Sequence, residues 1–182
     1  DAEPLGRVVG GTTPEDAAAS IVRILRKRKM VRKPLPGDMF RRPYRFVLYE
    51  EMTVADGCTS VDMALAFAAM AEAVGLEPVI GVFADGMMVG IRTSPGGTWG
   101  DSVVPVDPAL IFGGCRPSEI VARSRKASKG PLDSMVDVSS LRDRISPIPM
   151  ALLEHGMRTY ISADTMERKP PLRYLTWMSR LL

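Results

Sequence analysis

Cysteine and histidine are scarce in this chain of 182 residues, which has only Cys58, Cys115 and His155. These three residues cannot complete a four-ligand zinc site without carboxylates, and their spacing fits no zinc-binding motif. We therefore predict no metal and no cofactor. So little cysteine also favours a reducing compartment, and we expect a cytoplasmic protein or one that assembles into a particle in the cytoplasm.

Long hydrophobic runs are missing as well. No apolar stretch approaches the roughly 18 residues that a membrane span needs, so we predict that the chain does not cross a membrane. Its composition, with 46% hydrophobic and 25% charged residues, is that of an ordinary globular protein and excludes a disordered chain.

Acidic residues are nearly absent from one segment, although the net charge of the chain is only +3. Residues 23–45 contain ten Lys or Arg and a single acid, Asp38. Such a segment can bind nucleic acid, an acidic protein surface or anionic lipid, or it can be a solvated helix end and loop. No aromatic-rich nucleic-acid motif accompanies it. The candidate contacts for an anionic partner are Arg26, Lys27, Arg28, Lys29, Arg32, Lys33, Arg41 and Arg42.

The pattern of apolar and turn residues predicts an α+β fold. Capping residues and an apolar face predict a helix over 14–30. A capping box and apolar residues nearly all round predict a second, buried helix over 60–74. Apolar runs on either side of an Asp-Gly turn predict an antiparallel hairpin over 78–92, and a third strand follows over 102–108.

The remaining segments suggest three parts along the chain. We predict an N-terminal arm and basic helix over 1–45, a core over 46–165 and a C-terminal amphipathic tail over 166–182. Within the core, 116–131 has the pattern of a helix or an exposed linker, and 136–144 is polar with few apolar anchors. The tail could pack on the core or on a partner.

Cys58 follows a glycine and directly precedes the second predicted helix. A thiolate nucleophile needs a lowered pKa, an imidazole that accepts its proton and a third group that orients the imidazole. A helix N-terminus supplies the first requirement, because its free N–H groups and dipole favour an anion. The other interpretation of Cys58 is a small buried hydrophobic residue at the start of a helix.

One stretch carries a family resemblance, namely GCTSVDMALAFAAMAEAVGLEP followed by two strands and VPVDP. Over residues 55–110 it resembles the transglutaminase-like core of the papain-like cysteine protease superfamily. The resemblance implies a buried, cysteine-bearing helix packed on a small antiparallel sheet, with helical extensions at both ends. It also implies Cys58 as the nucleophile and Asp107 as the acid of a catalytic triad.

The catalytic histidine of that family has no counterpart at the expected place. The family carries it at the head of the second strand, where this chain reads Asp85-Gly86-Met87-Met88. A carboxylate such as Asp85 is a poor base for a thiol, because their pKa values lie far apart. His155 is the one residue of the chain that could still supply an imidazole.

The sequence therefore predicts a catalytically inactive transglutaminase-like domain. Such a domain would act as a protein-binding or structural module, with a protein partner or neighbouring subunits. The first alternative is an active cysteine hydrolase or acyltransferase, in which Cys58 is the nucleophile and His155 or a partner chain supplies the base. The second is a nucleic-acid-associated protein that binds phosphates through residues 23–45.

Overall fold

The computed structural model describes residues 13–35, 57–127 and 130–141. The predicted α+β class is confirmed. Among the described residues no helix has both the length and the apolar character of a bilayer span. The helices are α1 (Pro14–Arg26), α2 (Ser60–Ala73), α3 (Pro108–Ile111), α4 (Ile120–Lys126) and α5 (Val138–Leu141); a 3-10 turn spans Pro117–Glu119, and the strands are β1 (Pro78–Phe83), β2 (Gly86–Arg92), β3 (Val103–Val106) and β4 (Leu132–Asp137).

Helix α1 begins as predicted but ends at Arg26, earlier than residue 30. At its start the Thr13 hydroxyl accepts a hydrogen bond from the Asp16 N–H at 3.2 Å. At its end the backbone N–H groups of residues 27–29 donate to carbonyls three positions earlier, which tightens the last turn. Lys29 then takes a left-handed conformation, with φ of 51°. This conformation stops the helix although the basic sequence continues.

Helix α2 confirms the predicted capping box and the predicted burial. The Thr59 side chain accepts from the backbone of Asp62, and the Asp62 carboxylate accepts from the backbone of Thr59. Met63 and Phe67 are among the largest fully buried side chains in the described residues. The helix contacts β1, β2, α1 and α3, so its apolar surface is covered by both the sheet and the other helices.

The four described strands form one antiparallel sheet in the order β3-β2-β1-β4. The predicted hairpin is confirmed, with Ile80 opposite Val89 across its two strands. On β3, Val104 lies opposite Ile91 and Val106 lies opposite Val89. These five side chains belong to the same apolar core as α1 and α2. One face of the sheet therefore packs against the helices.

Strand β4 corrects the prediction for the second half of the core. The sequence suggested a polar segment with few anchors over 136–144, whereas Leu132–Asp137 forms an edge strand paired with β1. Its first three residues are exposed, and Val136, opposite Ile80, packs against the core. An edge strand with so few apolar positions gives a weak alternation pattern. Of the two interpretations of 116–131, the helical one is confirmed over 117–126.

Some predictions fall on residues that the structure does not describe. These are the C-terminal tail over 166–182, His155, Arg41 and Arg42, all of which lie outside the described residues. They remain predictions from the sequence.

The left-handed turn at Lys29 gives a first testable prediction. A residue with a β-carbon pays roughly 1 kcal/mol in this conformation, and glycine does not. We expect Lys29→Gly to raise the free energy of unfolding by about 0.5 to 1 kcal/mol, part of the gain being offset by the greater freedom of glycine in the unfolded chain. The midpoint of urea denaturation measures the change.

The matched control is Lys29→Ala, which removes the same charge but keeps the β-carbon. We expect no stabilisation from it. Equal shifts of the two midpoints would show that the lysine charge, rather than the backbone conformation, limits stability here.

Candidate functional site

Cys58 lies between Gly57 and Thr59, the N-cap of α2, and its side chain is only 1% exposed. A short part of the basic segment, residues 31–33, lies beside it; we call these three residues the strap. The Cys58 N–H donates to the Val31 carbonyl at 3.0 Å, and the Cys58 carbonyl accepts from the Lys33 N–H at 2.9 Å. These two bonds form an isolated parallel bridge, so the strap lies directly against the backbone of the predicted nucleophile.

Gly57 makes this close approach possible. Its φ is +136°, and a β-carbon added there would lie 2.5 Å from the Val31 carbonyl oxygen. Both the conformation and the space therefore require glycine. The Gly-Cys pair, which at first suggests a catalytic turn, is also what allows the strap to pair.

The thiol of Cys58 is in an environment that keeps it protonated. Its Sγ lies 3.6 Å from the Met30 Sδ, within the apolar core. The pKa of Cys58 is raised to about 12, first by burial and second by the nearby Asp62 carboxylate, while the Lys33 charge partly opposes both. This shift is opposite in direction to the one expected at a helix N-terminus. Near neutral pH the side chain is a neutral thiol.

Asp62 explains why the helix N-terminus does not activate Cys58. Its carboxylate Oδ2 accepts from the Thr59 N–H at 2.7 Å and from the Thr59 hydroxyl at 2.8 Å, and the side chain is completely buried. The anion that the first turn of α2 stabilises is thus the carboxylate of its own capping box. A thiolate at Cys58 would be a second negative charge beside it.

Asp107, the acid implied by the resemblance, caps another helix. Its carboxylate Oδ1 accepts from the Ala109 N–H at 2.9 Å, at the start of α3. Its own backbone N–H donates to the Ser124 hydroxyl at 2.7 Å, which ties the end of β3 to α4. This is the usual chemistry of an Asp-Pro helix start.

The described contacts of Cys58 and Asp107 therefore belong to different parts of the core. Cys58 contacts Met30 and the strap, whereas Asp107 contacts the first turn of α3 and Ser124. His155, the only histidine of the chain, lies outside the described residues, so the described part contains no imidazole. Within that part, no three His, Cys, Asp or Glu side chains are grouped so that they could hold a metal ion.

The predicted anion contacts differ in their surroundings. Arg26 is partly buried, and its guanidinium donates to the carbonyls of Leu110, Ile111 and Cys115 at 2.6 to 2.9 Å. It thereby fastens the end of α3 to the end of α1. Arg28 is also partly buried, while the remaining described members of the set are exposed, namely Lys27, Lys29, Arg32 and Lys33.

A cleft of about 240 Å³ opens beside this arginine, between the ends of α1 and α3. Met63 of α2 and Met30, the residue in contact with the Cys58 sulfur, form part of its wall. Neither the cleft nor the structural role of Arg26 was predicted from the sequence, because both depend on α3 packing against α1. The cleft is lined by Leu25, Arg26, Lys29, Met30, Met63, Ile111 and Phe112.

Comparison with known proteins finds no similar protein or family. No protein-family model matches the chain, and neither the curated proteins nor the solved structures give a match. The transglutaminase-like resemblance over residues 55–110 therefore stays a prediction from the sequence.

The strap predicts a strong effect of Gly57→Ala. The added β-carbon meets the Val31 carbonyl and occupies a left-handed conformation, so we expect a loss of roughly 1 to 3 kcal/mol in the free energy of unfolding. The loss of the bridge should also expose Cys58, and its rate of alkylation should rise. Denaturant unfolding and mass-spectrometric alkylation measure the two effects.

Gly86→Ala is the matched control, because Gly86 has a similar φ of +144° but open space around a β-carbon. It should cost only the conformational strain and leave alkylation of Cys58 unchanged. If the two variants behaved alike, close contact with the strap would not be the reason for glycine at position 57.

Proposed function

We propose that this protein is a catalytically inactive transglutaminase-like domain that acts as a protein-binding or structural module in a larger protein or assembly. The observation that carries the proposal is the state of Cys58, whose side chain is buried and whose pKa is raised to about 12. A cysteine nucleophile needs an exposed thiolate at neutral pH, and its pKa must therefore be lowered rather than raised.

Geometry supports the same conclusion independently of the pKa. A substrate carbonyl has to come within about 3 to 3.5 Å of the attacking sulfur. Around the Cys58 sulfur part of that space is taken by the Met30 side chain, whose Sδ lies 3.6 Å away, and the Cys58 side chain is only 1% exposed. A substrate could reach the sulfur only if this packing opened.

The positions that correspond to the other catalytic residues have structural tasks. Asp107 caps α3, and the second strand begins with Gly86 at the place where transglutaminase-like enzymes carry histidine. The described fold has an antiparallel sheet in contact with the helix that follows Cys58. A folded domain of this kind without a reactive thiol can still offer a stable surface to partners, which is why we favour a binding or structural role.

Thiol reactivity tests the proposal, and the second cysteine provides an internal reference. Cys115 is partly exposed. We compare Cys115→Ala, which retains Cys58, with Cys58→Ala, which retains Cys115, by following iodoacetamide alkylation from pH 6 to 9. In the native protein Cys58 should react at least about 100-fold more slowly than a free model thiol, since its thiolate fraction at pH 7 is only about 1 in 100,000.

The pH dependence sharpens this test. Below its pKa a thiol gains tenfold in thiolate per pH unit, so the rate for Cys58 should still be rising at pH 9 with no plateau. In denaturant both cysteines should react like the model thiol. A Cys58 that reacts faster than the model thiol, with a plateau near neutral pH and a slower rate in His155→Ala, would instead establish the active cysteine enzyme.

A further inference from the structure

The described lining of the cleft between α1 and α3 contains positive charge without a matching negative charge. Among these described residues, Arg26 and Lys29 are cations and none is a carboxylate. The other described lining residues are apolar. The described lining therefore combines two cations with apolar side chains, which suits an amphipathic occupant.

Arg26 contributes a charge that its hydrogen bonds leave uncompensated. The three carbonyls at the end of α3 and beyond satisfy donors of the guanidinium, but each is a neutral group. These carbonyl dipoles partly stabilise the guanidinium, but no ion pair among the described residues involves it, so its net charge remains in a partly buried position. Because water screens such a site less than an open surface, an anion placed there gains more than it would from an exposed arginine.

Lys29 adds a second charge at a fixed place. Its left-handed turn sets the direction of the chain after α1, and its side chain is exposed while also lining the cleft. None of the ion pairs within the described residues involves Lys29 or Arg26. On the strap, Arg32 and Lys33 are exposed and extend the positive potential.

The walls and the size of the cleft define the other part of the occupant. Two of the apolar lining residues, Met30 and Phe112, are half-buried and so accessible from the cleft, whereas Met63 is buried behind them. The flexible thioether of Met30 adapts to different side-chain shapes. The volume of about 240 Å³ is smaller than the roughly 300 to 1,000 Å³ of sites for cofactors and drug-sized ligands. It is large enough for one apolar amino-acid side chain. Phosphate groups of a nucleic acid would gain nothing from such walls.

We infer that the cleft binds an acidic segment of a partner protein. One apolar side chain of that segment fills the space beside Met30 and Phe112, and flanking carboxylates lie against Arg26 and Lys29. The inference rests on the proposed function, since it names the kind of partner that a protein-binding module would take. It also assigns a binding role to the basic residues at the C-terminal end of α1.

Methyl NMR tests the inference directly, because methionines line the cleft. In protein labelled with carbon-13 at the methionine methyl groups, the signals of Met30 and Met63 report on an occupant. The probe is the peptide Glu-Glu-Leu-Glu-Glu with blocked ends, and the comparison probes are blocked pentaglutamate, Lys-Lys-Leu-Lys-Lys and a thymidine 20-mer. We expect only the first to shift both signals saturably, with Kd of about 1 mM or below, as suits a minimal probe.

Two charge-reversal variants distinguish binding in the cleft from nonspecific electrostatic attraction to the basic surface. Lys29→Glu should weaken binding of the acidic leucine peptide at least about tenfold, because it places a negative charge in the cleft. Lys126→Glu makes the same change at an exposed lysine of α4 that does not line the cleft, and it should weaken binding less than about twofold. Thermal melts of both variants verify that they fold.

Several results would overturn the inference. One is the absence of any shift from the acidic leucine peptide, and another is an equal effect of pentaglutamate, which would show attraction without use of the cleft. Stronger shifts from the oligonucleotide would assign the surface to nucleic acid. Alkylation of Cys58 in the same samples distinguishes the two proposals. If Cys58 is alkylated slowly and the acidic leucine peptide causes no shift, only this inference is overturned. If Cys58 is alkylated faster than the model thiol, the proposed function is overturned.

Discussion

The burial of α2 is the constraint on which the rest of the structure depends. Its sequence is apolar on nearly every side, so the helix needs cover from more than one neighbour. The sheet supplies part of this cover, and α1 and α3 supply more. At its N-terminus the strap pairs with Cys58. Each of these elements is positioned by its contact with one helix, and so are the surroundings of the cysteine at its start.

A consequence of this packing is that the same helix terminus cannot serve both stability and nucleophilic catalysis. The capping box of Thr59 and Asp62 satisfies the first turn from within and places a buried carboxylate there. With that charge in position and the sulfur buried, the thiol is more stable in its neutral form. Cys58 then contributes to the core as a small apolar side chain, in contact with Met30.

The features that sequence reasoning predicted well are those encoded within a few residues. The capping box of α2 and the Asp-Gly turn of the hairpin are local signals, and both elements formed where expected. The predicted end of α1 was wrong because the helix is terminated near Lys29, which adopts a left-handed conformation. Lysine in a sequence does not indicate that conformation. Strand β4 was missed because its partner, β1, is remote in sequence and Val136 is a nearly solitary anchor.

The candidate site was harder to predict than the fold for the same reason. Whether Cys58 is activated or silenced depends on residues 31–33, which approach it only through tertiary packing. Likewise, nothing next to Arg26 in sequence indicates that its guanidinium holds the carbonyls at the end of α3. Local patterns indicated which residues had suitable chemistry, and long-range contacts decided which of them could use it.

The strand order β3-β2-β1-β4 has a consequence for how the protein folds. Strands β1, β2 and β3 form a meander in which every pairing is between neighbours along the chain, so its loops close early and at small entropic cost. Strand β4 joins the opposite edge only after α3 and α4 have been traversed. Its arrival also brings Asp137 to Arg92, an ion pair that links the two strands flanking β1. Because its pairing closes the longest loop of the sheet, we expect this strand to dock last. The Arg92–Asp137 ion pair can form only once β4 has taken up this position beside β1.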